Sequence, residues 1–388
     1  MPEFIPGMQL NEKYYWEAVR PILDSHFPRL AHSAGLLGSG SDVLGFDTHV
    51  SRDHQWGPRL VMFLPPEDFA ATAKAVDQAL RRHLPTTFYG YSTHFSDPDL
   101  EDGGTRVNQA IVQGPVNHLV DFYTVDSFWR RELGVSPFEE PDSADWLTFQ
   151  EHPLLTLTTG KVFYDGLGLE AVRKRFAYYP HDVWLYLLAS QWALISQEEA
   201  FVGRTSQVGD ELGSRVIAAR LVERIMRLCF LMEKRYAPYS KWFGTGFRQL
   251  NCFPRMGPLL ENALKAADFS ERDDWFSQAY TLAAELHNGL GITPPLETHT
   301  RTYSGWHSLR GGVENLDLDD PRNTRPFQVL FSGRFTDSIY AQIQDPILLS
   351  VLRAAGSVNQ FLVESSDALQ SVRFCRSLKD DILSSTEG

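Results

Sequence analysis

The chain has 388 residues, 43% hydrophobic and 22% charged, a profile that excludes disordered and fibrous classes and allows a large buried core. With Lys+Arg at 36 and Asp+Glu at 49 the formal charge is −13, so no global basic field draws in nucleic acid or anionic lipid, and only a local patch could. Three cysteines, Cys229, Cys252 and Cys375, without a CxxC, exclude a zinc ribbon and argue against a disulfide framework.

The opening MPEFIPGMQLNEKYYW has no basic segment followed by an apolar one, and no run reaches the ~18 apolar residues of a membrane span. The expectation is a cytoplasmic protein with no membrane partner. Tyr15, Trp16, Val19, Ile22 and Leu23 fall at helical spacing, which predicts a first helix over 11–33, broken by Pro28. The glycine-rich turn Leu37-Gly38-Ser39-Gly40-Ser41 follows. Arg59 to Leu64 then reads as a buried strand stopped by Pro65-Pro66.

Residues 67–84 return to helix, with Phe69, Ala73, Val76 and Leu80 on one face. Three β-like segments come next, at 87–95, 106–113 and 118–125. From there the pattern turns helical, over 182–200, 210–236, 258–267, 274–290 and 346–362, with Asp182 and Asp210 as expected N-caps. The stretch 291–334 reads as a long loop or a short hairpin, and the last residues, LKDDILSSTEG, as a fraying end. The fold class is therefore α+β: a small mixed-sheet domain over 1–135, then a mainly helical domain over 136–388.

The stretch most suggestive of chemistry is GSGSDVLGFDTHVSRDHQWGPRLVMFL, from Gly38 to Leu64. Glycines let the backbone approach a polyphosphate, serine hydroxyls and amides donate to its oxygens, and a carboxylate ahead of the strand can hold Mg²⁺ against them. A plain glycine turn is the alternative. Neither GxGxxG nor GxxxxGK[ST] is present.

The Gly38-Ser39 or Gly40-Ser41 turn followed by Ser51-Arg52-Asp53 resembles the signature of the nucleotidyltransferase superfamily, with Asp53 at the first acidic position and neutral Gln55 at the second. That resemblance implies a third carboxylate on a neighbouring strand. Asp121 is the candidate: period-2 alternation sets it with Leu119 and Tyr123, opposite Val120 and Phe122. A carboxylate in so apolar a strand needs a metal or an ion-pair partner, and Arg59 or Arg106 could serve as the latter. Asp47 could replace the charge that Gln55 lacks or be a solvated loop residue, and His54 could ligate, orient or hold a turn.

In the helical half, Arg204 and Lys241 are candidate phosphate contacts, and Lys234 to Phe243 interleaves cations with aromatics near a helix end. Asp210 and Glu211 could face an acceptor or open a helix as a cap. YYPHDVWLYLLASQW (178–192), QEEAFVGRTSQVGDELGS (197–214) and MRLCFLMEKRYAPYSKWFGTGF (226–247), taken with the Gly38–Leu64 stretch, resemble a bacterial family known as domain of unknown function 4037.

The resemblance implies a nucleotidyltransferase-like N-terminal domain and no established substrate. The function expected is transfer of NMP from an NTP, with Mg²⁺, to an unidentified hydroxyl or amine. Gly38 to Ser41 would hold phosphates, and Asp53 and Asp121 the metal. The alternative is a decayed nucleotide-sensing or protein-interaction module of the same fold.

Overall fold

A computed structural model describes residues 3–52, 55–304, 324–362 and 367–384. The chain divides into two compact units, one of residues 1–141 with 149–177, the other of 142–148 with 178–388. The first unit thus runs past the expected boundary at 135, because the chain returns to it with a further strand.

The first unit begins with the helix Gly7–Tyr14, which passes through a π-turn, Tyr15–Val19, into Arg20–His26. It stops at Phe27, where Pro28 clashes with helical backbone in the residue before it. The π-turn allows sequence neighbours Tyr14 and Tyr15 both to be fully buried. The expected helix end at 33 is instead a strand.

Strand β1 (Ser33–Leu36) pairs antiparallel with β2 (Arg59–Phe63). A hairpin, β3 (Thr87–Phe88) with β4 (Tyr91–Ser92), stands apart, and β5 (Leu119–Tyr123) lies parallel to β2. On the other side of β1, β6 (Lys161–Asp165) pairs antiparallel, giving the mixed order β5-β2-β1-β6. The expected strand over 106–113 is absent; Asn108 makes only an isolated bridge to Phe95. A Cβ on Gly35 would meet the Lys161 carbonyl oxygen at 2.5 Å, so only glycine lets β6 approach at that point.

Alternation sorts the sheet's faces. Ala34, Leu36, Leu60, Met62, Leu64 and Val120 enter a core with Tyr14, Tyr15 and Val19 of the first helix and Val76 and Leu80 of the helix Phe69–His83. The opposite face carries Arg59, Val61 and Phe63 beside Leu119, Asp121 and Tyr123, their register partners. Phe63 meets Phe128 of the helix Val125–Leu133 at 5.2 Å, edge to face. A reciprocal Thr124–Ser127 capping box starts that helix.

The second unit is built around His181–Glu198, a helix buried continuously from Val183 to Trp192. It packs against Glu211–Met232 and Gly333–Tyr340, where Trp192 stacks on Phe335 at 4.4 Å. Asp210 caps Glu211–Met232 as expected, accepting from Gly213 N at 2.8 Å. Asp182 is not a cap: it lies inside the first turn, after Pro180, and accepts the amides of Gln344 and Asp345.

Phe253–Lys265 and Phe269–Gly289 begin earlier than periodicity indicated. Strands β7 (Arg301–Ser304) and β8 (Thr324–Val329) pair antiparallel, the hairpin alternative for 291–334. The expected helix 346–362 is broken into Pro346–Ser350 and Val358–Phe361, separated by left-handed backbone at Ala354 and Gly356. Of the segment expected to fray, residues 378–384 belong to the helix Val372–Ser384, which Lys379 ties to Asp142 and Asp145 at 2.7 and 2.6 Å, and residues 385–388 lie outside the described residues.

Candidate functional site

The Gly38–Ser41 turn leaves β1 on left-handed backbone, with Gly38 at φ 85° and Gly40 at φ 139°. A Cβ on Gly40 would overlap Arg59 and Asp42, so a glycine is required there. Those two residues form the turn's foundation. Arg59 Nε donates to Asp42 Oδ2 at 3.0 Å and Arg59 Nη2 to Asp42 Oδ1 at 2.6 Å, a bidentate pair with both partners buried. The same Nη2 donates to the Ser39 carbonyl at 2.9 Å. Although burial opposes its charge, Asp42 holds the Arg59 guanidinium above its ordinary range.

Ser39 sits exposed at the tip of this braced turn, and the short helix Ser41–Leu44 follows it. The amides of Ser39 and Gly40 take no partner among the described residues. Such a turn has the backbone geometry of an anion cradle, above a buried guanidinium. Arg131, on the helix Val125–Leu133, approaches within 3.7 Å of where a Gly38 Cβ would lie; it donates to the Tyr123 hydroxyl and covers the Tyr123 and Phe128 rings at 4.5 and 4.8 Å.

Asp121 shares the sheet face of Arg59 and Tyr123, opposite Val61 in register. It is exposed, so the argument that a buried carboxylate demands a partner does not hold for it. Neither Arg59 nor Arg106 forms an ion pair with it. Arg106 spends its donors on the carbonyls of Ser96, Asn117 and His118, although Asp121 opposes the burial that lowers its guanidinium pKa.

Asp53 and His54 lie outside the described residues. Gln55 adopts left-handed backbone at φ 47° and donates from its amide and side chain to the carbonyls of Arg106 and Gly104. Asp47 is half-buried and engaged, because its Oδ2 accepts from Gly7 N at 2.7 Å and Trp56 Nε1 at 2.9 Å. Among the described residues no group of three or more His, Cys, Asp or Glu could hold a metal ion.

The second unit carries the other expected contacts. Arg204 is exposed, its guanidinium 5.7 Å from the Phe201 ring. Lys241 is exposed in the first turn of the helix Ser240–Phe247, over the Trp242 ring at 5.3 Å. That position is the positive end of a helix, so the dipole does not account for Lys241. Glu211 pairs with buried Arg272 at 2.9 and 3.1 Å, the structural reading of that position.

Asp42, Tyr123 and Arg131 escaped sequence reasoning as parts of the site. A lone arginine opening an otherwise apolar strand was the signal for a buried partner nearby.

The family comparison falls further along the chain. Residues 146–243 match the family described as Domain of unknown function (DUF4037), which is the family expected from the sequence. The match leaves out the Gly38–Leu64 stretch. No curated protein matches the chain. A nucleotidyltransferase-like protein from Exiguobacterium sibiricum 255-15 aligns over 79% of this chain and 86% of its own, with 11% identity and a TM-score of 0.31, too loose a likeness to carry a functional inference. Among the described residues no helix is long and apolar enough to cross a membrane.

Proposed function

For a chain whose residues 146–243 are DUF4037 sequence, we propose Mg²⁺-dependent nucleotidyl transfer from an NTP to a hydroxyl or amine acceptor. The observation that carries this reading is the turn Gly38 to Ser41, fixed by the buried Arg59–Asp42 pair and set at the end of β1 beside the face that bears Asp121. In the reaction an acceptor oxygen or nitrogen bonds to the α-phosphorus, the bond to pyrophosphate breaks, and the acceptor proton leaves to a base.

Positioning supplies most of the rate in such chemistry. The turn amides would hold the terminal phosphates and Arg131 would neutralise them from the rim. Exposed Asp121 would take the proton or bind the metal. Mg²⁺ characteristically accepts one or two protein carboxylates beside phosphate oxygens, and Asp121 with Asp53 is a donor set of that kind. When bound, the ion would offset the charge developing between the phosphates.

A second reading has its own observation. Gln55 is spent on Gly104, Asp47 on Gly7 and Trp56, and Asp42 on Arg59, which describes a nucleotide-sensing module with a lapsed metal site equally well. Calorimetry with each NTP, with and without Mg²⁺, on the wild type, Asp53→Ala and Asp121→Asn separates them. Mg²⁺-dependent binding weakened in both variants, with pyrophosphate released by the wild type, supports transfer. Binding without release or metal dependence supports the sensor, and no binding overturns both.

A further inference from the structure

Two of the three cysteines meet in the helical unit. Cys229 lies in the last turn of the helix Glu211–Met232, and Cys252 stands at the N-cap of Phe253–Lys265. Glu233 joins them. Its amide donates to the Cys229 carbonyl at 3.0 Å, and its carboxylate accepts the amides of Cys252 and Asn251 at 2.7 and 2.8 Å. The Cys252 carbonyl in turn accepts Arg255 N and Met256 N at 3.1 and 2.9 Å, so backbone bonds fix both residues.

The side chains complete the approach: the Cys252 thiol is the hydrogen-bond partner of the Cys229 thiol. That contact, together with burial, pushes the Cys229 thiol well up from its ordinary pKa, which keeps it protonated and inert toward oxidants by itself. Cys229 is fully buried, whereas Cys252 keeps 6% of its surface exposed. Cys375 belongs to a separate cluster with Val358 and Leu369. Any small apolar side chain would fill these two positions equally well, so it is the reactivity of the pair that sets it apart from packing.

We propose that Cys229 and Cys252 are an oxidation site, joining on contact with hydrogen peroxide in a reversible disulfide that ties the end of one helix to the start of the next. Cys252, the more accessible, reacts first. Its sulfur bonds to a peroxide oxygen, the O–O bond breaks, and the thiol proton leaves with the departing hydroxide as water. The Cys229 sulfur then bonds to the Cys252 sulfur, the S–O bond of the sulfenic acid breaks, and the Cys229 proton leaves with that hydroxide as a second water. Two thiols lose two electrons and the peroxide gains them. Because the backbones are fixed and the thiols already touch, closure needs a shift on the order of 1 Å per sulfur. A thiol reductant reverses it by exchange. The loop so closed, residues 230–251, carries the exposed cations Lys234, Arg235 and Lys241, and oxidation would restrain them.

The test exposes the folded full chain to hydrogen peroxide at about tenfold excess, alkylates it with iodoacetamide in denaturant and maps the unreduced tryptic peptides by mass spectrometry. Peptides 228–234 and 249–255, cross-linked and about 2 Da lighter than their sum, become the main form of both, and dithiothreitol separates them. Cys375 is recovered alkylated. Amide exchange over 230–251 slows in the oxidised protein and returns on reduction. Cys229→Ala halts the reaction at the Cys252 sulfenic acid, which dimedone labels; should that variant not fold, the wild-type map decides. Peptides 228–234 and 249–255 recovered unlinked, or cross-links to Cys375 in equal amount, overturn the proposal.

Discussion

Two buried carboxylates, one in each unit, are held in opposite ways. In the first, a buried arginine and a buried aspartate satisfy each other, and their bidentate bond fixes a glycine turn. In the second, Glu199 is buried without an ion pair among the described residues and accepts the amides of Leu330 and Ser332, both at 2.9 Å, and the Ser332 hydroxyl at 3.2 Å. Desolvation lifts its pKa to about 7 and the amides only moderate the rise. A buried carboxylate held by hydrogen bonds without an ion pair makes structure that titrates near neutrality.

The sharpest way to break the contrast is Asp42→Ala. It strands a buried guanidinium and is expected to cost about 3–5 kcal/mol, read as a lowered denaturation midpoint. Replacing both partners, Arg59→Met with Asp42→Leu, should recover much of that loss while destroying the turn. A double variant no more stable than Asp42→Ala would show that the cost lies elsewhere.

Gly40→Ala should cost about 1–3 kcal/mol, because the residue would have to hold a positive φ and its Cβ would displace the ion pair. Thermal melts will rank it below Asp42→Ala if the pair, more than the backbone, carries the turn.

A pH series sharpens the comparison further. His118 and His152 in the first unit are pushed down by burial to about 4 from 6.5. The folded form binds fewer protons than the unfolded, so their contribution is full above 6.5 and is lost as pH falls toward 4. Glu199 is raised from 4.5 to about 7, so its contribution is full below 4.5 and is lost as pH rises through 7. In the same unit Asp273, raised to about 6, adds to that loss, and His287, lowered to about 4, opposes it at acid pH. Hydrogen exchange at pH 5 and pH 8 should show β5 less protected at pH 5. The segment 330–332 should be less protected at pH 8, and Glu199→Gln should flatten that second response.

The smallest effect on stability is expected at Asp121. Being exposed, Asp121→Asn should shift the unfolding free energy by no more than about 0.5 kcal/mol. A larger shift would make the residue structural and weaken its assignment to chemistry.

Long helices were legible because periodicity is a local signal. His181–Glu198, Glu211–Met232 and the strand Arg59–Phe63 lie within a few residues of where their apolar spacing puts them. Ser33–Leu36 was not legible, since a four-residue strand buried on both faces has no alternation to read. Its partner Lys161–Asp165 joins it from far along the chain, as the Ser33–Asp165 side-chain bond at 2.8 Å shows, and no local pattern carries that pairing.

The candidate site was half legible. The Gly-Ser turn announced itself through residue type; Asp121 stood out as a misfit in an apolar strand, yet the fold leaves it exposed. The partnership of Asp42 with Arg59 is a fact of three dimensions, and so is the diversion of Asp47 to Trp56.

The π-turn in the first helix has a consequence for how the chain tolerates change in length. One extra residue between Tyr15 and Val19 resets the helix's phase, so Leu10 and Tyr14 upstream and Ile22 and Leu23 downstream face the same core across it. Removing Trp16, itself half-exposed, would convert the turn to regular helix and rotate everything beyond it by about 100°. Point substitutions at Trp16 should therefore be mild and its deletion severe, an asymmetry in which that position counts for its presence and little for its identity.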